Sequence, residues 1–265
     1  MIRPRIPLLF IALCFLAPWG ETVAESGVSH MKASVYIDPS NKMNLRGNVS
    51  IALAWGDHFS PPQEYLRGFI NLKEAMLKWT KVETSIENHL LLGTPRLLEL
   101  PFVYITVDNS FNISSTEKTN IRKYLENGGF MVIENPLPRT EAGPAEAALK
   151  QMIRDALGSR AKFQPIPRTH ELFHCFFDFN DGPPNGSEIG LEVVGDVSDK
   201  QFKSLAKPAL YLEGVWLDNR LAVVFSNKGY IVKWTDMKDN DPQLKMGVNM
   251  IVFALTQEGG IALRN

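Results

Sequence analysis

The chain has 265 residues, is 45% hydrophobic and carries a formal net charge of -1. That is enough chain to bury a full core in one large domain. The near-neutral balance removes the electrostatic case for nucleic acid, and no internal repeat points to a solenoid.

Arg3 and Arg5 precede the apolar run Ile6 to Trp19, and small residues follow near Ala24. This is the layout of a secretory signal peptide. Residues 1–24 are therefore read as an export signal, with an uncleaved anchor as the alternative. The run is short for a membrane span, and membrane contact is expected only through this segment. Cys14 follows Leu13, which is bulky where a lipoprotein signal wants a small residue. Once Cys14 is removed, Cys175 has no partner for an intramolecular disulfide. It sits in FHCFFDF and reads as a small buried hydrophobe.

Residues 25–48 are polar and read as a flexible lead-in. A single α/β domain is expected over 49–258, followed by a tail at 259–265. VSIALAW is a strand of small residues. Pro61-Pro62 can open a helix, and Tyr65 to Thr80 carries one broad apolar face. VETSIE is a short strand. PFVYITV and FMVI are short, continuous apolar runs of the kind buried on both faces of a parallel sheet. Between them Ser114 or Ser115 can cap a helix, and Glu117 suits its first turn. Ile121, Tyr124 and Leu125 form its apolar stripe, and Gly128-Gly129 ends it. Strand, crossover helix and strand make a βαβ unit with parallel strands.

After Asn135, Ala145 to Leu157 reads as a helix. AKFQPIP reads as a short edge strand, where proline is tolerated. Residues 187–208 give no clear pattern. ALYLEGVWLDNRLAVVFSN reads as a hairpin turning at Asp218-Asn219. KGYIVKWTDMKDND reads as a loop. Pro242 opens a final, nearly all-apolar helix that should pack against the sheet.

Parallel strands deliver their ends to one edge, where open α/β sheets bind ligands. In a flavodoxin-like strand order, Asp57-His58, Asp108-Asn109 and Glu134-Asn135 would ring one crevice. Asp57, Asp108, Asn109, Glu134, Asn135 and His174 are the candidate ligand-binding residues. The acids would contact a cation or polar ligand, and His174 would supply a hydrogen bond. Glu134→Gln and Asp108→Asn are expected to abolish binding with little loss of fold. A second reading makes the chain a hydrolase, through acid chemistry at Glu134 and Asp108 or through zinc. His170-Glu171-Leu172-Phe173-His174 reads literally as H-E-x-x-H, with Glu188 or Glu192 as a third zinc ligand. Pro165, Pro167 and Asp181-Gly182-Pro183-Pro184 leave room for only a short helix there. No G-x-G-x-x-G, phosphate loop or G-x-S-x-G elbow is present, so no cofactor is expected.

The segments IALAWGDHF, LPFVYITVDNSFNISSTEKTNIRKYLENGGFMVIEN, PIPRTHELFHCFFDF, LEGVWLDNRLAVVFSN and LKMGVNMIVFALT together resemble the bacterial exported family called domain of unknown function 4159. The resemblance runs over most of residues 49 to 257. It implies a class I glutamine amidotransferase-like fold: a mostly parallel sheet flanked by helices, here with a C-terminal β-hairpin and a closing helix. It implies no activity. Glu134-Asn135 stands where amidotransferase-like relatives carry the nucleophilic cysteine and where this family usually has Asp-Asp. Val107-Asp108-Asn109 replaces a common Gly-His-Gly. His170, Phe173 and His174 match an Asp-His-Pro-Ile-Phe-His pattern, but Glu171 does not. The resulting expectation is a periplasmic protein that binds a small ligand or an envelope partner and lacks the amidotransferase nucleophile.

Overall fold

The computed structural model describes residues 33–38, 40–138, 143–187 and 211–263. The expected export signal, residues 1–24, and the stretch 188–210 lie outside them. The chain is a mixed α/β domain whose central sheet is mostly parallel and flanked by helices.

Strand β1 (Ser34–Asp38) pairs antiparallel with the first half of the long strand β2 (Asn41–Trp55). Residues 34–38 and 41–48 are therefore part of the sheet, not a flexible lead-in. Their polar side chains reflect a hairpin with much of its surface in solvent. Helix α1 (Tyr65–Trp79) leads into β3 (Lys81–Leu91), which runs parallel to β2. A short 3-10 helix, Pro95–Glu99, connects to β4 (Phe102–Thr106). Strand β4 lies parallel to the second half of β2, pairing Ile51 with Phe102. Helix α2 (Ser115–Glu126) crosses over to β5 (Phe130–Glu134), parallel to β4. Helix α3 (Pro144–Leu157) and the two-residue edge strand β6 (Gln164–Pro165) follow.

The expected hairpin is β7 (Glu213–Leu217) and β8 (Arg220–Ser226), with Asp218 at positive φ in its turn. Strand β8 joins β5 in parallel, and β6 closes the far edge against β7. The parallel strands thus lie in the order β3-β2-β4-β5-β8, extended by antiparallel β7 and β6. The expected loop after β8 instead contains α4 (Tyr230–Thr235), and α5 (Asp241–Thr256) closes the domain.

Period-2 alternation assigns each helix to a face. Phe102, Tyr104, Phe130, Val132 and Val224 point to the side covered by α1, α4 and α5. Val103, Ile105, Met131, Ile133 and Phe225 point to the side covered by α2 and α3. Burial on both faces explains why β4 and β5 carry no polar alternation. On α5, Asn249 is fully buried. It donates to Leu172 O (3.0 Å) and Phe177 O (2.8 Å) and accepts from Phe177 N–H (2.8 Å), which fixes the aromatic segment to the helix. No helix among the described residues is long and apolar enough to cross a membrane.

Gly128 reverses the chain between α2 and β5 at φ +94°, and its carbonyl accepts from Ile261 N–H at 3.1 Å. The expected tail therefore folds back onto this turn. A Cβ on Gly128 would lie 2.4 Å from Gly259 O. Gly128→Ala combines a disfavoured backbone conformation with a backbone clash. It should cost about 2 kcal/mol, read as a lower urea midpoint at unchanged m-value.

Candidate functional site

The cross-strand row Thr106–Glu134–Ser226 ends the parallel sheet on the α4 side. Glu134 is 0% exposed. Its Oε2 accepts from Tyr104 OH (2.5 Å) and Ile231 N–H (2.8 Å). Its Oε1 accepts from Ser226 OH (2.6 Å) and Tyr230 N–H (2.9 Å). The two amides are the first of α4, which a helix leaves without internal acceptors. Gly229, at φ +64°, turns the chain so that they face the carboxylate. A Cβ there would meet Ser187 Oγ at 2.0 Å and Pro136 O at 2.5 Å.

Burial pushes the Glu134 carboxyl above its ordinary value, and the four donors oppose that rise. The Tyr104 hydroxyl is pushed well upward by burial and by the Glu134 charge. Thr106 Oγ1, next in the row, is buried with no partner among the described residues. Lys228 is also fully buried just before this turn.

The other half of the edge is open. Strand order reverses between β2 and β4, a geometry that leaves a crevice at strand ends. Tyr65, the first residue of α1, donates its hydroxyl to Asp108 Oδ1 at 3.2 Å. Asp108 is half-buried, and burial raises its carboxyl while the Tyr65 hydrogen bond opposes the rise. Tyr65 is raised by burial and by Asp108. Asp57 and Asn109 are exposed beside it. The Asp57 loop is set by the fully buried Glu117, whose Oε1 accepts Asp57 N–H at 2.8 Å. The other oxygen of Glu117 accepts Ser114 N–H at 2.7 Å, completing the capping box of α2. Aromatic rings flank this edge: the half-exposed Trp55 lies 4.5 Å from the exposed His89, and the half-exposed Phe59 lies 4.5 Å from Phe111. The Trp55 indole N–H is buried with no partner among the described residues.

Five of the six expected ligand residues thus reach one sheet edge, in two settings. Asp57, Asp108 and Asn109 face the open half. Glu134 is sealed, and Asn135 is buried, bonding Asn227 Oδ1 at 2.7 Å. His174 is not at this edge. Its carbonyl accepts from Lys42 at the start of β2, and its Nε2 donates to Arg168 O at 2.9 Å. The neighbouring Phe177 packs edge-to-face on Trp79, the last residue of α1. Tyr65 and Trp79 are separated by the length of α1, roughly 20 Å.

The zinc reading also meets a different geometry. Glu171–Phe173 is a three-residue 3-10 turn, with His170 and His174 as its flanking caps. His170 Nδ1 accepts Leu172 N–H, and its ring packs on Trp216 and Phe253, away from the partners of His174. Glu188 and Glu192 lie outside the described residues, and no cluster suited to a metal occurs among those described. Cys175 donates to Asn249 O at 3.3 Å, and burial pushes its thiol up to about 12.

Tyr104, Ser226, Tyr230 and Tyr65 join the site without any motif that marks them in the sequence. The sequence signal for Ser226 was its place at the end of a strand. The tyrosines gave none beyond their hydrophobicity.

Each Glu134 oxygen accepts one hydroxyl, which can rotate, and one backbone N–H, which cannot. A glutamine would set its amide NH2 against one of those fixed donors in either orientation. Glu134→Gln should therefore destabilise the fold by about 1–3 kcal/mol, seen as a lower urea midpoint. This reverses the tolerance expected from sequence. Thr106→Val removes a buried hydroxyl that has no partner. It should stabilise by about 1 kcal/mol, measured the same way.

No curated protein matches the chain. A family model described as Domain of unknown function (DUF4159) matches residues 62–255. With most of its length matched, including β4 and β5 with the acids at their ends and β8, the chain belongs to this DUF4159 family.

Proposed function

We propose that this chain is an exported, periplasmic domain of flavodoxin-like, class I glutamine amidotransferase-like architecture that binds a polar ligand or an envelope partner. Binding occurs at the open edge formed by Asp57, Asp108 and Asn109. The order of the parallel strands supports the fold reading. Counted along the chain, it runs second, first, third, fourth, fifth, which is the flavodoxin order.

The observation that carries the non-amidotransferase reading is Glu134. It stands where an amidotransferase-like nucleophile would follow β5, and all of its acceptor pairs are taken inside the protein. Cys175 does not replace it, since its thiol is held protonated by burial far from this edge. The open half keeps two acids, an amide and aromatic rings, the usual mixture of a small-ligand site. Export is supported by Arg3, Arg5 and the apolar run up to Trp19.

Acid-assisted hydrolysis is the second reading. Asp108 favours it, because burial lifts its carboxyl toward the range of a proton donor. Glu134 cannot share that work while sealed.

Photo-crosslinking in cells tests the binding reading. p-Benzoylphenylalanine at the exposed Asn109 should yield an adduct that is lost with Asp108→Asn. The same probe at Glu74, on the outer side of α1, should yield none. No adduct from position 109, or equal adducts at both sites, would sink the proposal. A C-terminal alkaline phosphatase fusion should be active only with residues 1–24 present. Conversion of the ligand so identified to a hydrolysed product by the purified, uncrosslinked protein would favour the hydrolase.

A further inference from the structure

A second cleft lies at the opposite edge of the sheet, where β5 and β8 begin. Its volume is about 790 Å³, within the range of roughly 300–1,000 Å³ usual for small-molecule sites. It is bounded by the β7–β8 turn, the His170 turn and the end of α5. Leu217, Leu221 and Phe253 give it an apolar base.

Two side chains in it have hydrogen-bonding capacity left over. Gln257 lines the cleft and is 5% exposed, and neither its Nε2 nor its Oε1 has a partner among the described residues. An amide buried with both ends unmatched is costly unless something else supplies a donor and an acceptor. His170 packs 5.5 Å from Phe253, one helical turn before Gln257. Its Nδ1 accepts Leu172 N–H, which puts the proton of the neutral ring on Nε2. Burial favours that neutral ring.

The charges around the cleft select against anions. Glu126, Glu171, Asp218 and Glu258 line it, against Arg160 and Arg220. Arg160 pairs with Glu126, and the Arg220 guanidinium donates to Leu125 O and to Gly129 O (2.8 Å). With these pairs made, the lining keeps an excess of carboxylates.

We infer that this cleft is a second binding site, for a neutral or cationic ligand bearing a carboxamide or peptide amide. Gln257 supplies the matching donor and acceptor, and His170 Nε2–H supplies a further donor. A peptide segment with a basic side chain fits this description. The site is distinct from the Asp57–Asp108 edge and independent of its function.

The test uses the 15N-labelled full chain, with N-acetyl-lysine methylamide as probe and N-acetylaspartate as anionic control. The Gln257 side-chain NH2 signal is assigned by its loss in Gln257→Leu. The lysine probe should shift this signal saturably in the millimolar range, and roughly tenfold or more tightly than the aspartate control. Gln257→Leu should abolish the binding, and His170→Phe should weaken it. Glu171→Lys combined with Glu258→Lys, both at exposed positions, should reverse the charge preference without touching the core. A Gln257 signal that exchanges with water but ignores the probe would overturn the inference. So would undiminished binding in folded Gln257→Leu, or a charge preference unmoved by the double variant.

Discussion

A single carboxylate, withdrawn entirely from water, fixes the end of the sheet. Glu134 joins β5 to β4 through Tyr104, to β8 through Ser226 and to α4 through two backbone amides. Burying a charge this deeply is strongly unfavourable unless every acceptor site is met. Here all the contacts are charge-assisted, the stronger class of hydrogen bond. The arrangement needs several features at once. The strands must pair in the register that sets Thr106, Glu134 and Ser226 side by side. Gly229 must adopt positive φ, and α4 must begin where it does.

That tie divides this edge of the sheet into a shut half and an open half. Over β5 and β8, α4 packs Tyr230, Ile231 and Trp234 into the core. Over β2 and β4 the chain has already turned away into α1, and the strand ends meet solvent through Asp57 and Asn109. Tyr65 belongs to both halves. It reaches Asp108 on the open side while packing in the core that contains Tyr104. The open edge therefore stands on a rigid floor, the condition under which a binding group keeps its geometry.

Much of this was legible in the sequence wherever local chemistry decides the outcome. The doubly buried strands β4 and β5 follow from uninterrupted β-branched and aromatic runs. Their parallel pairing follows from the crossover helix between them. Ser114 and Glu117 announced the start of α2 and form a full capping box. Helix α4 was not legible. It has six residues, several of them β-branched or aromatic, and its start is held by the distant Glu134. A helix this short owes its existence to tertiary contacts that no window of sequence contains. The first half of β2 was hidden for the opposite reason: its hairpin is largely solvent-facing, so its composition resembles a loop. The site followed the same division. That acids end the strands could be read directly, but their exposure depends on α4. His174 was drawn toward the site only by its residue type, and its place is set by Asn249 and α5, which anchor the segment around it.

The length of one side chain governs how this edge is used. An aspartate at 134 would hold its carboxylate one methylene closer to β5. It would then fall short of the Tyr230 and Ile231 amides that Glu134 meets at 2.9 and 2.8 Å. Those amides would need another acceptor, and the acid would stand nearer the strand end that an open sheet offers to ligands. Glutamate spans the gap and spends the charge on the fold. Here it seals the end of β5, while the ends of β2 and β4 stay open to solvent.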